Sequence, residues 1–213
     1  MAVRAVWGVV VAGGLGVRFG SPKQFARLGD QRLVDRAVAA TAAACDAVVL
    51  VLPELSDWQG IPVVAVTNGG PTRSASVRAG LAMVPASAEI VVVHDAARPL
   101  ASPALFEAVI NAVRAGADAA VPGIAITDTL KRVEDVRIVS TVERDGLVTV
   151  QTPQAFRAAV LDRAHASNAE ASDDAGLVEA TGGTVVVVPG DLRNIKVTSP
   201  ADLDIAAALL GAS

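Results

Sequence analysis

The chain has 213 residues, of which 52% are hydrophobic, 19% charged and 3% aromatic, with a formal net charge of −4. That length suits one well-buried domain and is short for two. Interspersed charge without a Lys/Arg run, and few aromatic rings, exclude a nucleic-acid track or a base-stacking platform. The lone Cys45 excludes an intrachain disulfide or a zinc knuckle.

Short apolar runs alternate with Ala/Leu-rich segments of helical period. Residues 6–12, 47–52, 62–66, 90–93 and 117–121 are apolar nearly throughout, the mark of strands covered on both faces in a mostly parallel sheet. Between them 31–45, 72–83 and 103–115 read as helices, so the alternation predicts a three-layer α/β/α domain. The stretch 127–150 breaks this rhythm. It is polar and β-branched with Glu134-Asp135 as a turn, which predicts a hairpin projecting from the sheet. A lone hairpin is marginal unless something covers it, and a second subunit is the expected cover. Beyond it, 155–165 and 172–181 read as helices, 184–188 as a strand and the segment from Pro200 as a helix. No apolar run reaches the ~18 residues of a membrane span, and Cys45 in its Ala-rich stretch reads as a small buried residue. A cytoplasmic protein is expected.

Five segments could carry chemistry. Ala12-Gly13-Gly14-Leu15-Gly16-Val17-Arg18 with Pro22-Lys23 follows the first strand. Its glycines let backbone N–H groups approach phosphate oxygens, and two cations on one loop suit a triphosphate. The dinucleotide fingerprint fails at Phe19, and the Walker pattern fails because Pro22 precedes Lys23 and Gln24 follows it. Asn68-Gly69-Gly70-Pro71-Thr72-Arg73-Ser74-Ala75-Ser76 is a turn opening a helix, either a base-reading edge or a loop capped by Thr72. His94-Asp95-Ala96-Ala97-Arg98-Pro99 stands at the carboxyl end of a strand, where open α/β sheets bind ligands. Asp95 suits a sugar hydroxyl or Mg²⁺ and Arg98 a phosphate, while His94 reads as a packed or orienting ring. Asp128-Thr129-Leu130-Lys131, Glu143-Arg144 and Gln151-Thr152-Pro153-Gln154 form a fourth set, and Asn194-Ile195-Lys196-Val197-Thr198 a fifth. Taken singly, Lys131, Arg144 and Lys196 read as surface charges. Asp202 and Asp204 lie in the first turn of the last helix and answer its dipole.

In this order the motifs resemble the 2-C-methyl-D-erythritol 4-phosphate cytidylyltransferases of the non-mevalonate isoprenoid pathway, over residues 9–210. The resemblance implies a Rossmann-like nucleotidyltransferase domain over 1–213, with an arm at about 124–148 that pairs two subunits and shares the active sites. It implies an Mg²⁺-dependent transfer of a cytidylyl group from CTP to methylerythritol phosphate, the ion being held mainly by the CTP phosphates. Arg18, Lys23, Arg144 and Lys196 would be the catalytic cations. Ala12, Gly13, Gly14, Gly16, Gly70 and Ser76 would hold the nucleotide, and Asp95, Arg98, Thr129 and Thr152 the acceptor. The alternative is a ribitol-5-phosphate cytidylyltransferase of the same fold, in which His-Asp-Ser-Val-Arg-Pro tends to replace His94-Asp95-Ala96-Ala97-Arg98-Pro99. The chain departs from the family's usual pattern at Val11-Ala12-Gly13-Gly14 and at Pro71, both in the nucleotide segments.

Overall fold

A computed structural model describes residues 6–14, 19, 22–54 and 57–211. Strand β1 (Val6–Val11) leads to a small hairpin of β2 (Arg27–Leu28) and β3 (Gln31–Arg32), then helix α1 (Leu33–Ala44) and strands β4 (Ala47–Leu52) and β5 (Ala65–Asn68). Helix α2 (Arg73–Leu81), strand β6 (Ile90–Asp95), helix α3 (Pro103–Arg114) and strand β7 (Ala119–Ala125) follow. The chain then makes β8 (Leu130–Glu134), β9 (Arg137–Val142), β10 (Val148–Val150) and β11 (Gln154–Arg157). It ends in α4 (Ala158–His165), α5 (Asp174–Ala180), β12 (Val185–Pro189) and α6 (Pro200–Gly211).

The apolar runs become a sheet buried on both faces. β1 pairs in parallel with β4 and β6, and β4 with β5. Alternate side chains then serve two cores. Val9, Val49, Val51, Val91 and Val93 pack against Val77, Leu81, Leu161, Leu177 and Val178 of α2, α4 and α5. On the opposite face, Val10, Val48, Leu50 and Leu52 meet Val34, Ala37 and Val38 of α1. Farther along that face Ile90, Val92, Ala120 and Ala155 meet Phe106, Val109, Ile110 and Val113 of α3. Pro103 at the start of α3 supplies a preset φ, and the buried positions 105, 106, 109, 110 and 113 form one apolar stripe.

Two expectations are corrected. The helix expected at 155–165 begins only at Ala158, because Gln154–Arg157 is a strand antiparallel to both β6 and β7. Ala155 and Phe156 are fully buried between those neighbours, and burial overrides the helical character of the following alanines. The hairpin expected over 127–150 is shorter. Only β8 and β9 form the free ribbon, whereas β10 joins the main sheet opposite residues 123–125 of β7. With β12 parallel to β7 on its other edge, the order is β5-β4-β1-β6-β11-β7-β12. The ribbon turns at Asp135 with φ 51°, a left-handed conformation that Asp tolerates. Its apolar side chains are uncovered, Val136 at 95% and Ile138 at 65% exposure. Among the described residues no helix is long and apolar enough to cross a membrane.

Candidate active site

The parallel strands β1, β4, β5 and β6 all end at the same rim, and there the loops meet. Ala12 closes β1 by donating its N–H to the Val51 carbonyl at 2.8 Å. Gly13 then packs on the backbone of the loop after β5. A Cβ at Gly13 would lie 3.1 Å from Gly69 Cα and 3.2 Å from Ser76 Oγ, so the close approach favours glycine. Thr72 caps α2 by accepting from Ala75 N at 3.0 Å. Ser76 Oγ accepts from Gly70 N at 3.1 Å and donates to the Thr72 carbonyl at 2.9 Å, which fixes the turn that Gly70 makes. These loops bound a cavity of about 380 Å³ whose walls include Ala12, Gly13, Gly14, Gly70 and Ser76. Lys23, on a short 3-10 turn, enters the same cavity and donates from Nζ to the Val197 carbonyl at 2.9 Å.

A second cavity of about 180 Å³ adjoins it, with Arg98, Thr152, Gln154 and Ser172 in its walls. Arg98 Nη1 donates to the Asn194 carbonyl at 2.7 Å, and Asn194 Nδ2 donates to the Thr152 carbonyl at 2.9 Å. The loop after β6, the turn before β11 and the segment before α6 are thereby tied together. Asp95, Arg73 and Lys196 line both cavities and form their common wall.

Charge at this wall is closely matched. Arg73 Nε donates to Asp95 Oδ1 at 3.1 Å, and Lys196 Nζ donates to Asp95 Oδ2 at 2.6 Å. Burial by itself would raise the Asp95 pKa, but the two cations outweigh it and hold the carboxyl well below the usual carboxylate range. His94, the preceding residue of β6, points to the opposite face and packs its ring on Phe106 with centroids 5.2 Å apart. Burial pushes its pKa down to about 4, so the ring is neutral at pH 7. Its Nε2 faces the Arg98 carbonyl at 3.2 Å and must carry the hydrogen, which leaves Nδ1 to accept from Thr152 Oγ1 at 3.2 Å. Thr152 Oγ1 in turn accepts from Asp95 N at 3.0 Å. His94 is a packed, orienting ring that sets Thr152 beside Asp95.

Of the residues expected from sequence, Ala12, Gly13, Gly14, Lys23, Gly70, Ser76, Asp95 and Lys196 line the larger cavity, and Arg98 and Thr152 the smaller. Gly16 and Arg18 lie outside the described residues. Thr129 and Arg144 are exposed on the arm and line neither cavity. Arg144 Nη1 donates to the Thr127 carbonyl within the same arm. Asp202 caps its own helix region, accepting from Thr198 N at 2.7 Å and Ser199 N at 2.8 Å, as expected of an acid in a first turn. Sequence reasoning passed over Arg73, which belongs to both cavities. A signal was available, because a cation in the first turn of a helix opposes the dipole and calls for carboxylate partners. The arrangement can hold two anionic ligands side by side. Lys23, Arg73 and Lys196 face one, and Arg73, Arg98 and Lys196 face the other.

Comparison with known proteins follows the same lines. Residues 6–212 match the family model described as IspD: 2-C-methyl-D-erythritol 4-phosphate cytidylyltransferase. The 2-C-methyl-D-erythritol 4-phosphate cytidylyltransferase of Streptomyces coelicolor is 44% identical, over 95% of this chain and 83% of that one. That of Nocardia farcinica is 42% identical, over 97% and 94%. A bifunctional IspD/IspF enzyme of Clavibacter michiganensis is 44% identical over 92% of this chain, which spans 52% of the length of that relative. The crystal structure of 2-C-methyl-D-erythritol 4-phosphate cytidylyltransferase from Thermus thermophilus superposes with a TM-score of 0.83 at 36% identity, over 95% of this chain and 97% of that one.

Proposed function

The chain belongs to the 2-C-methyl-D-erythritol 4-phosphate cytidylyltransferase family of enzymes, and on that premise we propose that it transfers the cytidylyl group of CTP to 2-C-methyl-D-erythritol 4-phosphate. The observation that carries this reading is the pair of adjoining cavities with Asp95, Arg73 and Lys196 as their common wall. The larger, bounded by the Gly13 and Gly70 loops, suits the nucleotide, and the smaller, with Arg98 and Thr152, suits a small phosphorylated polyol.

In this reading a phosphate oxygen of the acceptor attacks the α-phosphorus in line. A new P–O bond forms as the bond to the bridging oxygen of the β-phosphate breaks, and pyrophosphate leaves with that electron pair. The nucleophile is already an anion at neutral pH, so no general base is required, and rate comes from alignment and charge neutralisation. Lys23 and Lys196, with Arg18, answer the charge that builds at the α-phosphorus, and Arg98 and Asp95 place the acceptor. Both Asp95 oxygens are engaged by cations, so an Mg²⁺ ion would be held mainly by the nucleotide's own phosphates. Bound there, the ion supplies further neutralisation of phosphate charge. The uncovered ribbon of β8 and β9 supports a homodimer in which each arm carries Thr129 and Arg144 to the partner's acceptor cavity. One cysteine among 213 residues suits work in a reducing cytoplasm.

The test is pyrophosphate release with CTP, UTP, ATP and GTP crossed against methylerythritol, ribitol and erythritol phosphates. CTP with methylerythritol phosphate is expected to lead. A preference for ribitol phosphate moves the chain to the sister specificity, and no release with any pair refutes the reading.

A further inference from the structure

Behind the common wall of the two cavities runs a line of charge of which the transfer scheme uses only the Asp95 and Lys196 end. Arg73 divides its fork between two carboxylates, donating from Nε to Asp95 Oδ1 at 3.1 Å and from Nη1 to Asp174 Oδ2 at 2.8 Å. The Asp174 side chain is 0% exposed, and its other oxygen lies 3.0 Å from His165 Nε2. A carboxylate only accepts, so that ring nitrogen carries the hydrogen and donates. At the far end, Asp95 Oδ2 accepts from Lys196 at 2.6 Å. The run His165, Asp174, Arg73, Asp95, Lys196 thus joins α4 and α5, in an outer layer of the fold, to the wall between the cavities.

Burial so complete is a poor way to gain stability, because the desolvation of Arg73 and Asp174 cancels most of their attraction. What the pair does supply is direction. A guanidinium facing one carboxylate tends to take both of its oxygens side by side. If Arg73 did so, Asp95 would be turned away from Lys196. Asp174 prevents this by holding Nη1, and His165 prevents Asp174 from rotating. We infer that Asp174 and His165 are positioning residues for the transfer reaction, which act through Arg73 to keep the Asp95 carboxylate turned toward Lys196. The inference rests on the cytidylyl-transfer reading for its kinetic consequences and on the contacts alone for its physical ones.

Two experiments on the full chain test it. Asp174→Asn keeps the shape but leaves one acceptor oxygen, and an amide that only donates, facing two donors. Its kcat/KM for the acceptor should fall roughly ten- to a hundredfold, as small misplacements of reacting groups do, while KM for CTP stays within about threefold. His165→Gln can offer an N–H to Asp174 and should stay close to the wild type, whereas His165→Leu should follow Asp174→Asn. A folded Asp174→Asn with wild-type kinetics, or equal kinetics in the two His165 variants, overturns the inference. The second experiment needs no substrate. Melting of Asp174→Asn, Asp95→Asn and the double variant should show the double departing from the additive expectation, since both carboxylates share Arg73. Strict additivity overturns the line of contacts. A wild type inactive with every nucleotide and acceptor refutes the transfer reading and leaves the melting cycle to judge the contacts.

Discussion

Replacing Asp95 with Asn removes the charge on which the common wall of the two cavities depends. The carboxylate is 10% exposed and Arg73 21%, so water does little to replace that partner when the charge is lost. Breaking a buried pair from one side costs about 3–5 kcal/mol. Lys196 is 39% exposed, and solvent screening discounts its share. The lower end, about 3 kcal/mol, is the expected loss at pH 7. In a 213-residue chain that corresponds to a melting temperature lower by roughly 6–12 °C. The pH dependence has a definite sign. The folded-state pKa of Asp95 is depressed, so its contribution is fully present above the unfolded value near 3.9 and is lost as pH falls toward the native value. The difference between wild type and Asp95→Asn should therefore be flat from pH 8 to 5 and narrow below pH 4. Urea unfolding across that range measures both quantities, and the variant should also show a raised KM for the acceptor. A difference under about 1 kcal/mol at pH 7, or one that fails to narrow in acid, refutes the assignment of Asp95 as a buried, doubly paired carboxylate.

Lys23→Ala should lower kcat roughly a hundred- to a thousandfold with KM values within a few-fold, because its contact strengthens as charge builds at phosphorus; a change confined to CTP affinity would argue for ground-state binding. Thr129→Ala should mainly raise the acceptor KM, measured in the same assay. Mixing tells whether the arm crosses between subunits. Lys23→Ala and Arg144→Ala homodimers should each be nearly inactive, whereas the purified heterodimer should regain about half the wild-type activity, since one of its two sites collects both defects and the other neither. A heterodimer as inactive as its parents, or a monomer in solution, excludes a shared site.

The parallel half of the sheet was legible because residues 47–52 and 90–93 are apolar on both faces, rich in β-branched valine and too short for a helix. The arm was legible by its polarity and its Glu134-Asp135 turn. Strand β11 was not legible, since four residues running into Ala158, Ala159, Val160 and Leu161 carry no period of their own, and only the gap between β6 and β7 makes them extended. The rim was legible through its glycines, Lys23 and Asp95, whereas Lys196, which singly reads as a surface charge, came to it only through the family resemblance. Asp174 and His165 were not, because their importance comes from meeting Arg73 across 101 and 92 residues of chain, respectively a direct contact and one through Asp174, which no local pattern records.

The placement of β11 also orders events in time. Strands β5, β4, β1 and β6 all come from residues 6–95 and can pair as soon as they have been made. β7 cannot, because each of its sheet neighbours (β10, β11 and β12) is made after it. During synthesis the chain can therefore pair four strands while residues 119–125 wait for a wedge that arrives some thirty residues later. The arm lies within that interval, so the ribbon of β8 and β9 is made before the half of the sheet that anchors it has closed. In the homodimer proposed above, subunit pairing and completion of the sheet would then both wait for the second half of the chain.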